Sequence, residues 1–213
     1  MRINRVIRTL VTSDFLLISG FAVFGPVFAV FVTQKIEGGN LEIIGFTAAI
    51  FQLVKSSLQI PIANYLDKNH GEKDDFYSLI IGSFLIAVVP FLYILADKPI
   101  HLFIINGIYG LGAAFAIPPW NAIFTRHIDK MHESTDWAVE SVSIGVGAAA
   151  AAALGGILAD KFGFDFVFAA AGFVAIAGAI VLTRIYSGLM EKVGRGQVYP
   201  HPHKKHRGHG PEN

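Results

Sequence analysis

The chain has no cysteine. Disulfides, thiolate metal sites, iron–sulfur clusters and thiol catalysis are thereby excluded. Charge is scarce as well. Asp, Glu, Lys and Arg make up 15% of the residues, where a soluble domain carries roughly 25%. The net charge is only +1, so no overall imbalance points to nucleic acid. No His-Glu-x-x-His, Gly-x-Ser-x-Gly or P-loop string is present. The histidines (70, 101, 127, 132, 201, 203, 206 and 209) all fall outside the long apolar runs or at their edges. An intramembrane protease therefore has no visible residues to run on. The expectation is a non-enzyme with no cofactor and no metal.

What is abundant is apolar surface: 53% of residues are hydrophobic and 22 are glycine, which membrane helices tolerate better than soluble ones. About 20 mostly apolar residues are needed to cross the hydrocarbon core. Six runs qualify, over residues 10–32, 43–64, 79–96, 100–124, 137–159 and 164–185. The first is too long for a signal-peptide core and lacks a cleavage site after it. The spacing predicts an all-α membrane protein with a six-helix bundle over 1–185 and a basic, His-rich tail over 186–213. The tail reads as a disordered segment held at an anionic lipid surface, and its histidines alternatively as metal ligands.

Lys and Arg set the orientation. With an inside amino terminus, the inner segments hold Arg2, Arg5, Arg8, Lys68, Lys73, Arg126, Lys130, Arg184 and the tail's basic residues. The outer segments hold Lys35, Lys98 and Lys161. The positive-inside rule then puts both termini in the cytoplasm. Tyr65, Tyr77, Trp120, Trp137 and Tyr186 cluster at the inner ends as an aromatic belt. The third and sixth runs are almost uniformly apolar, which predicts two peripheral helices and four central ones.

Polar residues inside the runs are the candidates for function. Gln52, Lys55, Ser56 and Gln59 share one helical face. They read as a stripe lining a solute path, or Lys55 reads as a structural lysine that snorkels to the surface. Asp14 and Glu140 lie about one turn inside their spans; they are coupling partners for Lys55, or solvated carboxylates near helix ends. Asn106, Tyr109 and Gly110 share a face of the fourth run. Pro118, Pro119 and Trp120 form either a gate or hinge or the point where that helix ends. Gly147, Gly155 and Gly156 let neighbouring backbones approach closely.

Short motifs carry a family likeness. In the first run stand Gly20, Pro26 and Val27, with Ala29 after them. The second run ends in a loop with Asp67, Lys68 and Gly71, and the fifth ends in a similar Gly156-Ile157-Leu158-Ala159-Asp160-Lys161-Phe162-Gly163. The fourth carries Gly110, Gly112, Ala113 and Ala114 below Asn106, and the fifth carries Gly147, Gly155 and Gly156 around Ala151-Ala152. These residues resemble the major facilitator superfamily of secondary transporters. Ala29 stands for a second Pro, Ala63 for the first Gly of the signature loop, Asn106 for an Arg often found there, and Ala151-Ala152 for a Gly-Pro. The chain looks like one six-helix half of the usual twelve-helix protein, with an inverted 3+3 repeat.

The resemblance implies a transporter in the plasma membrane that moves a small solute by alternating access. It further implies a homodimer or a second half-transporter chain as partner, besides the lipid bilayer. Asp67 is then expected near Ser134, Thr135 and Trp137 of the neighbour, with Gly147, Ala151 and Gly155 packing on its second span. The alternatives are a non-transporting assembly or regulatory partner, and a truncated remnant of a longer transporter.

Overall fold

The computed structural model describes residues 4–69, 72–128 and 131–186. They form six helices: α1 (Arg5–Lys35), α2 (Leu41–Asn69), α3 (Glu72–Ile94), α4 (Pro99–His127), α5 (Glu133–Phe162) and α6 (Phe164–Leu182). Each apolar run of the sequence coincides with one helix. All six are long and apolar enough to cross a membrane, so this is a multi-pass membrane protein. Gly71, His70 and the tail beyond Tyr186 lie outside the described residues.

Local chemistry sets several boundaries. Asn4 caps α1, its side-chain oxygen accepting the Val6 N–H at 3.0 Å. Asn40 does the same for α2, accepting the Ile43 N–H at 3.0 Å. Pro99 opens α4, where its missing N–H costs nothing. Gly163 alone separates α5 from α6 with φ +82°, a left-handed conformation that glycine adopts without penalty. Pro26, Pro61, Pro90, Pro118 and Pro119 all lie inside helices. Pro119 frees the Phe115 carbonyl, which accepts from the Ser78 hydroxyl of α3 at 2.8 Å, the kind of neighbour contact that makes proline tolerable in membrane helices.

The packing follows a swap rule. α1 packs on α5 and α6, α4 packs on α2 and α3, and α3 packs on α6. Exchanging α1 with α4, α2 with α5 and α3 with α6 maps this pattern onto itself. The chain order therefore contains two inverted three-helix repeats, and both ends of the bundle's chain fall on one side. Small residues bring the repeats' helices together: a Cβ on Gly110 of α4 would sit 2.7 Å from the Phe51 carbonyl oxygen of α2. A Cβ on Gly155 of α5 would collide with the Val23 carbonyl oxygen of α1.

The helices expected at the periphery are packed more deeply than their apolarity suggested. In α3, as in α4 and α6, 44% of the membrane window is buried, against 6% for α2 and 11% for α5. Glycines explain this: Gly82 meets Gly112 and Ala116 of α4, and Gly172 meets the Phe91 ring of α3. Uniform apolarity marks a helix for the membrane but does not say which neighbour covers it. Within this bundle the open side is formed by α2 and α5.

Candidate functional site

α1 and α4 touch each other only sparsely. Between them runs a cleft of about 370 Å³. Its walls are Leu17 and Phe21 of α1, Phe51 of α2, Leu79, Ser83 and Ile86 of α3, and Tyr109, Ala113 and Trp120 of α4. Asp14 is the one acidic residue among its described lining, and Asn121 lies near the same end.

The aromatic side chains build the upper part of the cleft. The Tyr109 ring stacks on Phe21 at 4.9 Å and lies 4.3 Å from Phe51. Gly110, next to Tyr109, allows this because α4 can lie directly on the backbone of α2. Lower down, Trp120 stacks on Phe124 at 4.8 Å, and Trp137 of α5 is 6.2 Å away. The buried Trp120 N–H meets no acceptor among the described residues. α4 continues unbroken through Pro118 and Pro119 to His127, so the helix does not end at the proline pair.

The polar residues singled out in the sequence divide into three groups. Asp14 lines the cleft, and Glu140 of α5 lies within its electrostatic reach. Tyr109 lines the cleft too. Asn106, one turn away on α4, faces elsewhere: it is buried and donates to the Tyr93 hydroxyl of α3 at 2.9 Å and the Leu102 carbonyl at 3.0 Å. It therefore does not join Tyr109. On α2, Gln52 and Ser56 are exposed and Lys55 and Gln59 half-buried. Lys55 sits at the middle of α2, its ammonium 5.4 Å from the centroid of the Phe51 ring. It pairs with neither Asp14 nor Glu140, because α2 packs on α4 and barely adjoins α1 or α5.

Of the small-residue positions, Gly147 abuts Ser19 and Phe15 of α1 and Gly155 abuts Val23 of α1. Gly156 faces open space. Gly147, Ala151 and Gly155 are buried within this bundle. They are thus already occupied by α1 and are not free for the second span of a neighbouring copy. Close approach between backbones was legible in the sequence; the partner helix was not. Asp67 and Lys68, at the end of α2, are exposed.

A cluster at the chain-terminal end escaped the sequence reading. His127, 2% exposed, places Nε2 3.8 Å from Oε1 of Glu72, itself 6% exposed. The His127 Nδ1 donates to the Ile123 carbonyl at 2.9 Å, and Asn4 donates to the His127 carbonyl at 3.2 Å. Beside it, Arg126 is ion-paired with Asp75. These groups lock the end of α4 to the start of α3. No spacing rule links residues 55 apart, so only the helix pairing brings Glu72 to His127.

Six membrane-crossing helices in two inverted repeats, with a cleft between the first helix of each repeat, define a half-bundle of the secondary-transporter type. The chain belongs to the Major Facilitator Superfamily, which it matches over residues 10–208. It is also similar to an uncharacterized MFS-type transporter of Methanocaldococcus jannaschii, at 26% identity over 162 residues. That match covers 76% of this chain but only 40% of the relative, so the chain spans less than half of that protein's length.

Proposed function

We propose that the protein moves a small solute across the plasma membrane by alternating access, with the α1–α4 cleft as this bundle's share of the solute site. The observation that carries this reading is the open side of the bundle. Gln52 and Ser56 are exposed on α2 and Ser141 on α5, at depths where lipid offers no hydrogen bonds. Lys55, at mid-helix, costs about 2.5–3.5 kcal/mol in hydrocarbon. Such a face requires a protein partner or water in front of it. A second six-helix bundle against α2 and α5 supplies both, with the cleft opening onto the shared space. That bundle is a second copy or another half-transporter segment, and both termini face the cytoplasm.

The lining favours an organic cation with an apolar body. The aromatic faces of Phe21, Phe51, Tyr109 and Trp120 attract cations. Asp14, with Glu140 in reach, outweighs the single ammonium of Lys55 at the rim. Gln59 and Gln52 face the shared space as further contacts, and the Pro118-Pro119 segment is where α4 bends as the cleft opens and closes. Asn106 acts one step removed, fixing α4 against α3 through Tyr93.

Purified protein in liposomes tests this with a labelled N-methyl-phenylpyridinium cation. Protein-dependent uptake that falls at least tenfold in Asp14→Asn is expected. Uptake of neutral or anionic solutes, unaffected by Asp14→Asn, would overturn the solute class. No flux of any solute, together with a tight protein partner, would favour the assembly role instead.

A further inference from the structure

A second recess lies at the end of the bundle where α1 begins and α6 ends, away from the cleft. It measures about 230 Å³ and is lined by Arg5, Arg8, Thr9 and Thr12 of α1, Val181 of α6, and Arg184 just beyond α6. We infer that this recess binds the phosphodiester headgroup of an anionic phospholipid.

Charge is the first argument. Arg5 and Arg8 are three residues apart, so they share a face of α1, and Arg184 reaches the same recess from the other helix. None of the described lining residues is acidic. Arg5 and Arg8 have no carboxylate within ion-pairing distance among the described residues, in contrast to Arg126, which Asp75 neutralises. The threonine hydroxyls donate to the Arg5 and Arg8 carbonyls at 2.9 and 2.8 Å. The positive charge therefore comes from the guanidiniums alone, whose planar forks match phosphate oxygens.

Depth is the second argument. Arg8 stands two residues before the buried Leu10, and Arg184 two residues after Leu182, where α6 ends. With about 20 residues from Leu10 inward needed to cross the hydrocarbon core, that level falls at the headgroup layer. One turn deeper, Ile180 is 52% exposed and presents apolar surface for acyl chains. A free phosphate shares the headgroup's chemistry but gains nothing from that surface. Basic recesses between helices at this level suit anionic lipids.

The test uses the full chain in neutral detergent, with bound lipid read by native mass spectrometry. Dioleoylphosphatidylglycerol is titrated against dioleoylphosphatidylcholine. Preferential retention of phosphatidylglycerol is expected. Arg5 and Arg8 should each contribute about fivefold, so the double variant Arg5→Gln/Arg8→Gln loses roughly 25-fold. Lys73→Gln, outside the recess, should leave retention unchanged. For the unaltered chain, raising salt tenfold should weaken phosphatidylglycerol binding and leave phosphatidylcholine binding unaffected. This arm needs no variant to fold. Equal retention of the two lipids, or full retention in the double variant, would overturn the site. Displacement of phosphatidylglycerol by equimolar inorganic phosphate would show a free-anion site and overturn the lipid assignment. Solute flux plays no part in these readouts, so the site stands or falls apart from the transport reading.

Discussion

Lys55 concentrates the question of what single residues do here. It lies at the middle of α2, held over the Phe51 ring and without a carboxylate partner in the described bundle. A cation–π contact is worth about 0.5–2 kcal/mol, too little to offset burial in lipid. The residue therefore belongs in front of water or a partner. Lys55→Met keeps the volume of the side chain and removes the charge. Flux of the cationic probe in liposomes should rise severalfold once the opposing ammonium is gone, while the thermal midpoint in detergent stays within about 2 °C, since no ion pair is broken. A fall in midpoint with flux intact would make the lysine structural. The stripe of Gln52, Lys55, Ser56 and Gln59 was legible from spacing alone. The aromatic partners Phe21 and Phe51 were not, because in a chain this apolar a phenylalanine carries no signal of its own.

At the scale of helices, close packing is decided glycine by glycine. The two neighbours Gly155 and Gly156 look equivalent in sequence, yet Gly155 lies against the backbone of α1 at Val23 and Gly156 faces open space. Gly155→Ala should push α1 and α5 apart and cost about 1–3 kcal/mol, the usual range for overpacking. Gly156→Ala should be neutral or slightly stabilising, because alanine is the better helix former. Thermal unfolding of the two variants in the same detergent checks this, and equal losses would refute the α1–α5 contact. Helix identity itself was readable, since each apolar run of about 20 residues has no other way to satisfy its backbone in lipid. The depth of α3 and α6 was not, because lipid and protein interior are equally apolar.

The whole molecule raises orientation and assembly. A cysteine-free chain makes both measurable by adding single cysteines. Cysteine at Lys98 or Lys161 should react with an impermeant label from outside intact cells, and cysteine at Lys73 only after permeabilisation. The reverse pattern would invert the bundle. For assembly, Asp67 at the end of α2 and Thr135 at the start of α5 are both exposed at the same end of the bundle. If two copies meet through their α2–α5 faces, Asp67→Cys in one chain should crosslink to Thr135→Cys in another in native membranes. In such a pair the start of α5 would attract the Asp67 carboxylate by only about 0.3–1 kcal/mol, enough to bias a closed state but not to hold two chains together. Because Gly147, Ala151 and Gly155 are taken up by α1, any such pairing would have to use the outward surfaces of the two helices, such as Val142, Val146 and Leu154 of α5 and Phe46, Leu53 and Ile60 of α2. A strict monomer across detergents and lipids would remove the homodimer and leave a different half-transporter segment as partner.

The sequence by itself determined the solvent, the number of crossings and the class of protein. Apolar run length, the scarcity of charge and the absence of cysteine are local properties, summed along the chain with no need of a partner. Motif spacing carried the family likeness for the same reason, since Asp67 and Lys68 or Gly155 and Gly156 are neighbours in the chain. Only the tertiary structure decided that Asn106 turns to Tyr93, that Glu72 reaches His127, and that Arg184 joins Arg5 and Arg8 around one recess. These are contacts between helices that share no sequence period, and in a bundle where every helix is apolar on most sides, the pattern of residues cannot say which side meets which neighbour.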